Sequence, residues 1–145
     1  MNDDNKVSIT IPSSSEYVGV VRLAISGIAT RMNFTVEEIE DIKIAISEAC
    51  TNAVQHAYPN KTGHIDIKST IDDDKLTIEV SDQGVGFDTS ILGSKEQREK
   101  SEKKLGLGLG LTFIKNLMDD ANVYSSVGKG TTITMIKQRP TDSLS

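Results

Sequence analysis

The chain has 145 residues, 37% of them hydrophobic and 26% charged, enough to bury one core of ordinary globular composition. With no Trp and only 4% aromatic residues, that core must be built from Ile, Val, Leu and Ala. The net charge is −5 and the Lys and Arg are scattered, apart from Lys103-Lys104. That argues against a general nucleic-acid binder, which needs a basic face to displace counterions. The single cysteine, Cys50, rules out an internal disulfide or a thiolate metal cluster. Between Ala49 and Thr51 in a helical pattern, it reads as a small buried residue. No apolar run approaches the ~20 residues that cross a bilayer. The N-terminal Met1-Asn2-Asp3-Asp4-Asn5 is acidic and has no signal-peptide core, so a cytoplasmic compartment is expected.

Val7, Ile9 and Ile11 alternate with Ser8 and Thr10, which predicts a strand over Lys6–Ile11, ended by Pro12. Ser13 with Glu16 is a capping-box pattern that predicts a helix running to about Met32. A second box, Thr35 with Glu38, opens a longer helix that ends near Ala57 or Tyr58, before Pro59. Ile39, Ile42, Ile46, Ala49, Ala53 and Ala57 form its apolar stripe. The stripe narrows from Ile to Ala, so something must approach the helix closely at its C-terminal end.

After a turn at Asn60–Gly63, strands are predicted over Ile65–Ile71 and Lys75–Ser81, joined by Asp72-Asp73-Asp74. Asp82 to Asp88 is a glycine turn. Thr89 to Lys104 is polar and carries no apolar stripe, which predicts a mobile segment over about 89–107, running into the glycine-leucine run Leu105 to Leu111. A third helix is expected over Thr112–Asp120, with Phe113, Leu117 and Met118 inward. Val123–Ser126 and Thr131–Lys137 read as a last hairpin around Gly128-Lys129-Gly130. The chain from 1 to 145 reads as one domain, ordered over about 6–138. Helices and strands come in separate runs, so the fold class is α+β. A two-layer sandwich is expected, with a mostly antiparallel mixed sheet and helices on one face.

Three groups of residues can carry chemistry. Glu48, Asn52 and His56 lie four apart and share one helix edge beside the apolar stripe. A carboxylate there can deprotonate a nucleophile, and an amide one turn on can give an oxygen to Mg²⁺. Asp82-Gln83-Gly84-Val85-Gly86 ends a strand in a carboxylate able to accept from an exocyclic amine such as adenine's, followed by two glycines for a tight turn. Gly106-Leu107-Gly108-Leu109-Gly110-Leu111-Thr112 places glycines at a helix start, where backbone amides and the helix dipole attract phosphate. It is neither a Walker loop nor a dinucleotide fingerprint. Taken singly, each group has an ordinary reading: a solvated helix edge, an acidic turn, a flexible hinge.

The three in this order resemble the GHKL ATPase superfamily and its Bergerat fold, and Gly130-Thr131-Thr132 fits the Gly-Thr that supports the adenine pocket there. From about Val7 to Lys137 the chain is more closely similar to bacterial serine-kinase anti-sigma factors of the RsbW and SpoIIAB type. Glu16-Tyr17-Val18-Gly19-Val20-Val21-Arg22-Leu23 and Ser47-Glu48-Ala49-Cys50-Thr51-Asn52-Ala53-Val54-Gln55-His56-Ala57-Tyr58 carry that resemblance. It implies a homodimer that sequesters a sigma factor and phosphorylates a serine of an anti-anti-sigma factor with Mg-ATP. ATP or ADP in the site would govern partner exchange.

By that resemblance Glu48 is the catalytic base, Asn52 holds Mg²⁺ and Asp82 binds the adenine amine. Gly84, Gly86 and Thr131 shape the base pocket. Gly106, Gly108 and Gly110, with Leu111, lie under the phosphates, and Arg22 contacts a partner. Gly106 stands where the sporulation type carries an arginine, which leaves Lys103 or Lys104 as the cation for the γ-phosphate. A histidine-kinase fragment is the poorer reading, because His56 and His64 lie on no separate helical hairpin. A nucleotide-gated sigma-binding protein without kinase activity is the alternative.

Overall fold

Alternation along five strands decides the architecture. The computed structural model describes residues 5–89 and 110–139. In chain order these form β1 (Lys6–Pro12), α1 (Val18–Arg31), α2 (Val36–His56), β2 (His64–Ile71), β3 (Lys75–Asp82), α3 (Gly110–Leu117), β4 (Asp120–Ser126) and β5 (Gly130–Gln138). The strands make one sheet in the order β1-β2-β3-β5-β4. Every pair is antiparallel, so the sheet is not the mixed one expected from sequence. No two hydrogen-bonded neighbours run parallel, although the chain crosses from β3 through α3 to β4 at the edge, and β5 then returns between them.

Ile65 and Ile67 on β2, Leu76, Ile78 and Val80 on β3, and Met135 on β5 are buried, while their neighbours along each strand are more exposed. Helix α2 packs on this buried face against β2, β3 and β5. Its stripe does what its spacing predicts: Ile42, Ile46 and Ala49 are fully buried, and Ala53 and Ala57 are nearly so. Helix α1 lies on α2 and contributes Val21, Ile25 and Ala29. Each fully buried isoleucine contributes about 1.5–3 kcal/mol by leaving water. Cys50 is part of this core, and burial pushes its thiol up to about 12, so it packs as a neutral small group.

The two capping boxes fare differently. Thr35 Oγ1 accepts the Glu38 amide at 3.1 Å, and Glu38 Oε1 accepts the Thr35 amide at 2.8 Å. The Ser13–Glu16 box does not form. The Ser13 amide donates to the Gly63 carbonyl at 2.9 Å, which prolongs the β1–β2 pairing by one residue. Ser13 therefore still belongs to the sheet edge. The chain enters α1 through a 3₁₀ turn at Ser15–Tyr17 instead.

Helix α3 starts two residues before the expected Thr112 and stops at Leu117, short of Asp120. Its buried residues are Gly110, Leu111 and Ile114, Met118 just past its end is buried too, and Phe113 is 42% exposed, not inward. The spacing of 111, 114 and 118 fixes a stripe that leaves 113 to one side. The early stop has two causes. The Asp119 amide already donates to Ile136 O at 2.9 Å, and Lys137 Nζ caps the Leu117 carbonyl at 2.7 Å. Lys137 also lies 3.9 Å from Asp41 on α2. The expected mobile segment over 89–107 falls outside the described residues, except for Thr89.

Replacing Thr35 by Ala removes half of the α2 capping box. The expected loss is about 1 kcal/mol, since cap substitutions to Ala cost that much. A thermal melt should show a midpoint a few degrees lower.

Candidate functional site

The period of two along β3 has one chemical consequence. Leu76, Ile78 and Val80 face the helices, so Asp82, two residues further, must face them too. The strand thus ends by putting a carboxylate into the core side of the sheet, where Asp82 is only 7% exposed. Its Oδ1 accepts the Gly84 amide at 2.9 Å and the Thr131 amide at 3.3 Å. Oδ2 accepts no bond among the described residues. Burial raises the carboxyl above its ordinary 3.8, and the two amides pull it partly back.

A cavity of about 220 Å³ opens beside Asp82. Ala49, Ala53 and Ala57 of α2 form one wall, and Val80, Val123 and Ile133 of the sheet form another. The turn residues Val85, Gly86 and Phe87 close one side, and Leu111 closes the other. Asn52, His56, Asp82 and Thr131 are its polar lining. An apolar slot with a few fixed polar groups suits a flat heteroaromatic ring. The taper of the α2 stripe explains why the slot exists: alanines leave room that isoleucines would fill.

Two glycines are required by the turn. A side chain on Gly84 would overlap the Ala57 carbonyl, the same carbonyl that accepts the Val85 amide at 2.9 Å. Gly86 has φ +63, and a side chain there would meet the Ser126 carbonyl. The far side of the turn is tied to the last hairpin. Gly128 donates to Val85 O at 2.7 Å, and Phe87 donates to Ser125 Oγ at 2.8 Å. Ser125 Oγ also bonds Thr131 Oγ1 at 2.8 Å and donates to Gly130 O at 3.0 Å.

The residues expected to act on phosphate meet at the start of α3. A Cβ on Gly110 would overlap Asn52 Nδ2 and would stand 3.3 Å from Glu48 Oε2. Asn52 is 8% exposed and lines the cavity. Glu48 does not line it. It faces an open groove between α1 and α2, together with Arg22, Lys43, Ser47 and Thr51. So the structure brings together Asn52, Asp82, Gly86, Leu111 and Thr131 around one cavity, with Gly84 in its turn. Glu48 and Arg22 share the adjoining groove. Lys104, Gly106 and Gly108 lie outside the described residues.

Sequence reasoning did not single out Ser125, Val123 or Ile133. The alternation of β4 and β5 carried the signal, since 121, 123 and 125 must share one face. Among the described residues no cluster of three or more His, Cys, Asp or Glu forms that could cage a metal. One amide oxygen at Asn52 fits an ion such as Mg²⁺ that is held mostly by phosphates and water.

If Asp82 accepts the adenine amine, as the resemblance implies, Asp82→Asn weakens ATP binding by about 1.5–3 kcal/mol, the worth of a charge-assisted hydrogen bond, because the new amide offers that amine a donor. The free protein should gain stability or hold it at neutral pH. A raised folded pKa means that the native state binds the proton more tightly, so stability falls as pH rises from 3.8 through the folded value. The asparagine removes that loss, and its advantage should vanish in acid. Calorimetric titration with ATP and melts at several pH values check both parts. Gly110→Ala should push the Asn52 amide aside; if that amide holds Mg²⁺, as the resemblance implies, the variant weakens Mg-ATP more than ATP without Mg²⁺, read by titrations with and without the ion.

The family described as Histidine kinase-like ATPase domain matches residues 11–137. Serine-protein kinase RsbW of Bacillus cereus (strain G9842) is 44% identical over 138 residues, 92% of this chain and 86% of that protein. Serine-protein kinase RsbW of Bacillus subtilis (strain 168) is 40% identical over 141 residues, 94% of this chain and 87% of that protein. Among solved structures, the RsbU and RsbW domains of a Mycobacterium tuberculosis protein align with TM-score 0.67 at 24% identity, over 93% of this chain and 33% of that one. The histidine kinase domain of a blue-light activated kinase from Erythrobacter litoralis aligns with TM-score 0.55 at 22% identity, over 89% of this chain and 62% of that one. These two likenesses concern the fold. With Asp82, Asn52 and Glu48 arranged as described, and with such identity over nearly its whole length, the chain belongs to the histidine kinase-like ATPase domain family and, within it, to the RsbW serine-protein kinases.

Proposed function

We propose that this chain is an ATP-dependent protein-serine kinase that also acts as an anti-sigma factor. It sequesters a stress- or sporulation-type sigma factor and phosphorylates a serine of an anti-anti-sigma factor, using Mg-ATP. The observation that carries the reading is the meeting of Asn52 and Glu48 under Gly110, at the edge of a cavity that ends in Asp82. Read as a base, a metal-binding amide and an amine acceptor, Glu48 and Asn52 on α2 and Asp82 at the end of β3 follow one another in the order from γ-phosphate to adenine.

In this reading adenine occupies the apolar slot and donates its amine to Asp82 Oδ2. The phosphates run along α2 toward the first turn of α3, whose N-terminal dipole favours their charge. Asn52 would hold Mg²⁺, which neutralises charge on the phosphates when bound. Glu48 takes the proton from the acceptor serine as its oxygen bonds to the γ-phosphorus and the bond to ADP breaks. Little further covalent chemistry is needed, because phosphoryl transfer depends on positioning and charge.

The groove that Glu48 shares with Arg22 is where a protein partner would approach. Arg22 is exposed there, beside Leu23, which is 71% exposed. Such a pair of a guanidinium and an uncovered aliphatic residue suits a protein contact. The assembly in this reading is a homodimer in the cytoplasm. No helix among the described residues is long and apolar enough to cross a membrane.

The test is transfer from γ-labelled Mg-ATP to a candidate anti-anti-sigma protein. Acid-stable, base-labile label on the partner is expected, with Glu48→Ala lowering the rate by about 100-fold or more while ATP affinity holds. Equal rates in parent and variant would remove Glu48 from the chemistry. Absence of label with ATP binding intact would favour a nucleotide-gated binding protein, to be examined by sigma-factor capture with ATP and with ADP.

A further inference from the structure

The turn that carries Asp82 is fixed from outside, and one side chain does much of the fixing. Tyr58 follows α2 directly, two residues past its last helical residue. Its hydroxyl accepts the Gln83 amide proton at 2.8 Å and donates its own to the His64 carbonyl at 2.7 Å. One oxygen therefore joins the end of α2, the start of β2 and the residue just after β3. The ring lies on Gly63, where any side chain would overlap it. The hydroxyl is thus aimed by packing, not by chance rotation.

Gln83 stands between the two groups that matter. Before it is Asp82, the amine acceptor. After it is Gly84, whose amide holds Asp82 Oδ1 at 2.9 Å. Fixing the Gln83 amide fixes the peptide plane that leaves Asp82 and so sets where the Gly84 amide points. The neighbouring bond from Val85 to Ala57 O holds the turn at a second point, also at the end of α2. The carboxylate is in this way referenced to the same helix that carries Asn52 and Glu48.

We propose that Tyr58 is a positioning residue for base recognition: through the Gln83 amide it orients the Asp82 carboxylate toward the exocyclic amine of the bound base. The inference rests on reading the cavity as the adenine site. Tyr58 is absent from the cavity lining and needs no contact with the nucleotide. Preorganising an acceptor raises affinity by lowering the cost of ordering it on binding. The gain is confined to ligands that use that acceptor.

This confinement supplies the test. Tyr58→Phe keeps the ring on Gly63 and removes only the hydroxyl. Both groups it frees are at the protein surface, where water replaces the lost bonds and the chain still folds. Two probes are titrated with Mg²⁺: ATP, and purine riboside triphosphate, which lacks the exocyclic amine. The variant should bind ATP about fivefold more weakly. Its affinity for the amine-free analogue should change by less than about twofold, the margin within which independent effects add. Equal losses for the two ligands would make Tyr58 a merely structural prop and overturn the inference. Unchanged ATP affinity in the variant would overturn it as well, while leaving the adenine site standing. A parent chain that binds no ATP would overturn the site reading and this inference together.

Discussion

The site depends on a carboxylate that the sheet forces out of water. Strand periodicity carries Asp82 to the helix-facing side, and a buried charge there is costly unless hydrogen bonds compensate it. Two backbone amides do so, but both fall on one oxygen. The other oxygen keeps its acceptor capacity, and Asp82 lines the cavity. Much of the local structure follows from supplying those two amides. The Gly84 amide requires a turn tight enough to need glycine, and the Thr131 amide requires β5 to pair with β3 as far as Asp82. The protein therefore carries a group that is tolerated rather than favoured, which is common where a fold is shaped for a ligand.

The same economy governs α2. At its start a capping box and isoleucines bind it to the sheet. Toward its end the stripe thins to alanine, and packing is replaced by an opening. The Ala57 carbonyl, which has no helical partner at the terminus, accepts the Val85 amide instead. The helix end and the acceptor turn thus satisfy one another's backbone groups, so among the described residues this side of the cavity is bounded by hydrogen-bonded elements.

A large part of this was legible in the sequence, where local rules and tertiary demands agree. The Thr35–Glu38 box, the α2 stripe and the alternation of β2 and β3 all act within one element. The failures come where a distant partner intervenes. Ser13 cannot cap α1 because Gly63, fifty residues away in sequence, claims its amide. Helix α3 stops early because Lys137 and Ile136 of β5 reach its end. Phe113 faces outward because Leu111, counted with the glycine run, belongs to the helix and sets its phase. The placement of Asp82 could be deduced from periodicity, yet the cavity beside it could not, because β4 and β5 complete the wall from the far end of the chain.

The separation of Glu48 from Asn52 follows from helix geometry. A step of four residues overshoots one turn of 3.6 by about 40°. Residues 49, 52, 53, 56 and 57 make one stripe on the cavity, and residues 40, 43, 44, 47, 48 and 51 make another on the groove. Glu48 and Asn52 lie on neighbouring stripes, close enough for Gly110 to touch the space of both. In the proposed reaction this makes α2 a partition between the nucleotide and the protein that receives its phosphate. The amide remains on the nucleotide side and the base on the protein side. The first turn of α3 is the place where the partition can be crossed. A base on the cavity stripe would stand among the nucleotide's own phosphates, where like charge opposes it. One helical step to the side spares it that repulsion and leaves it facing a hydroxyl brought in along the groove.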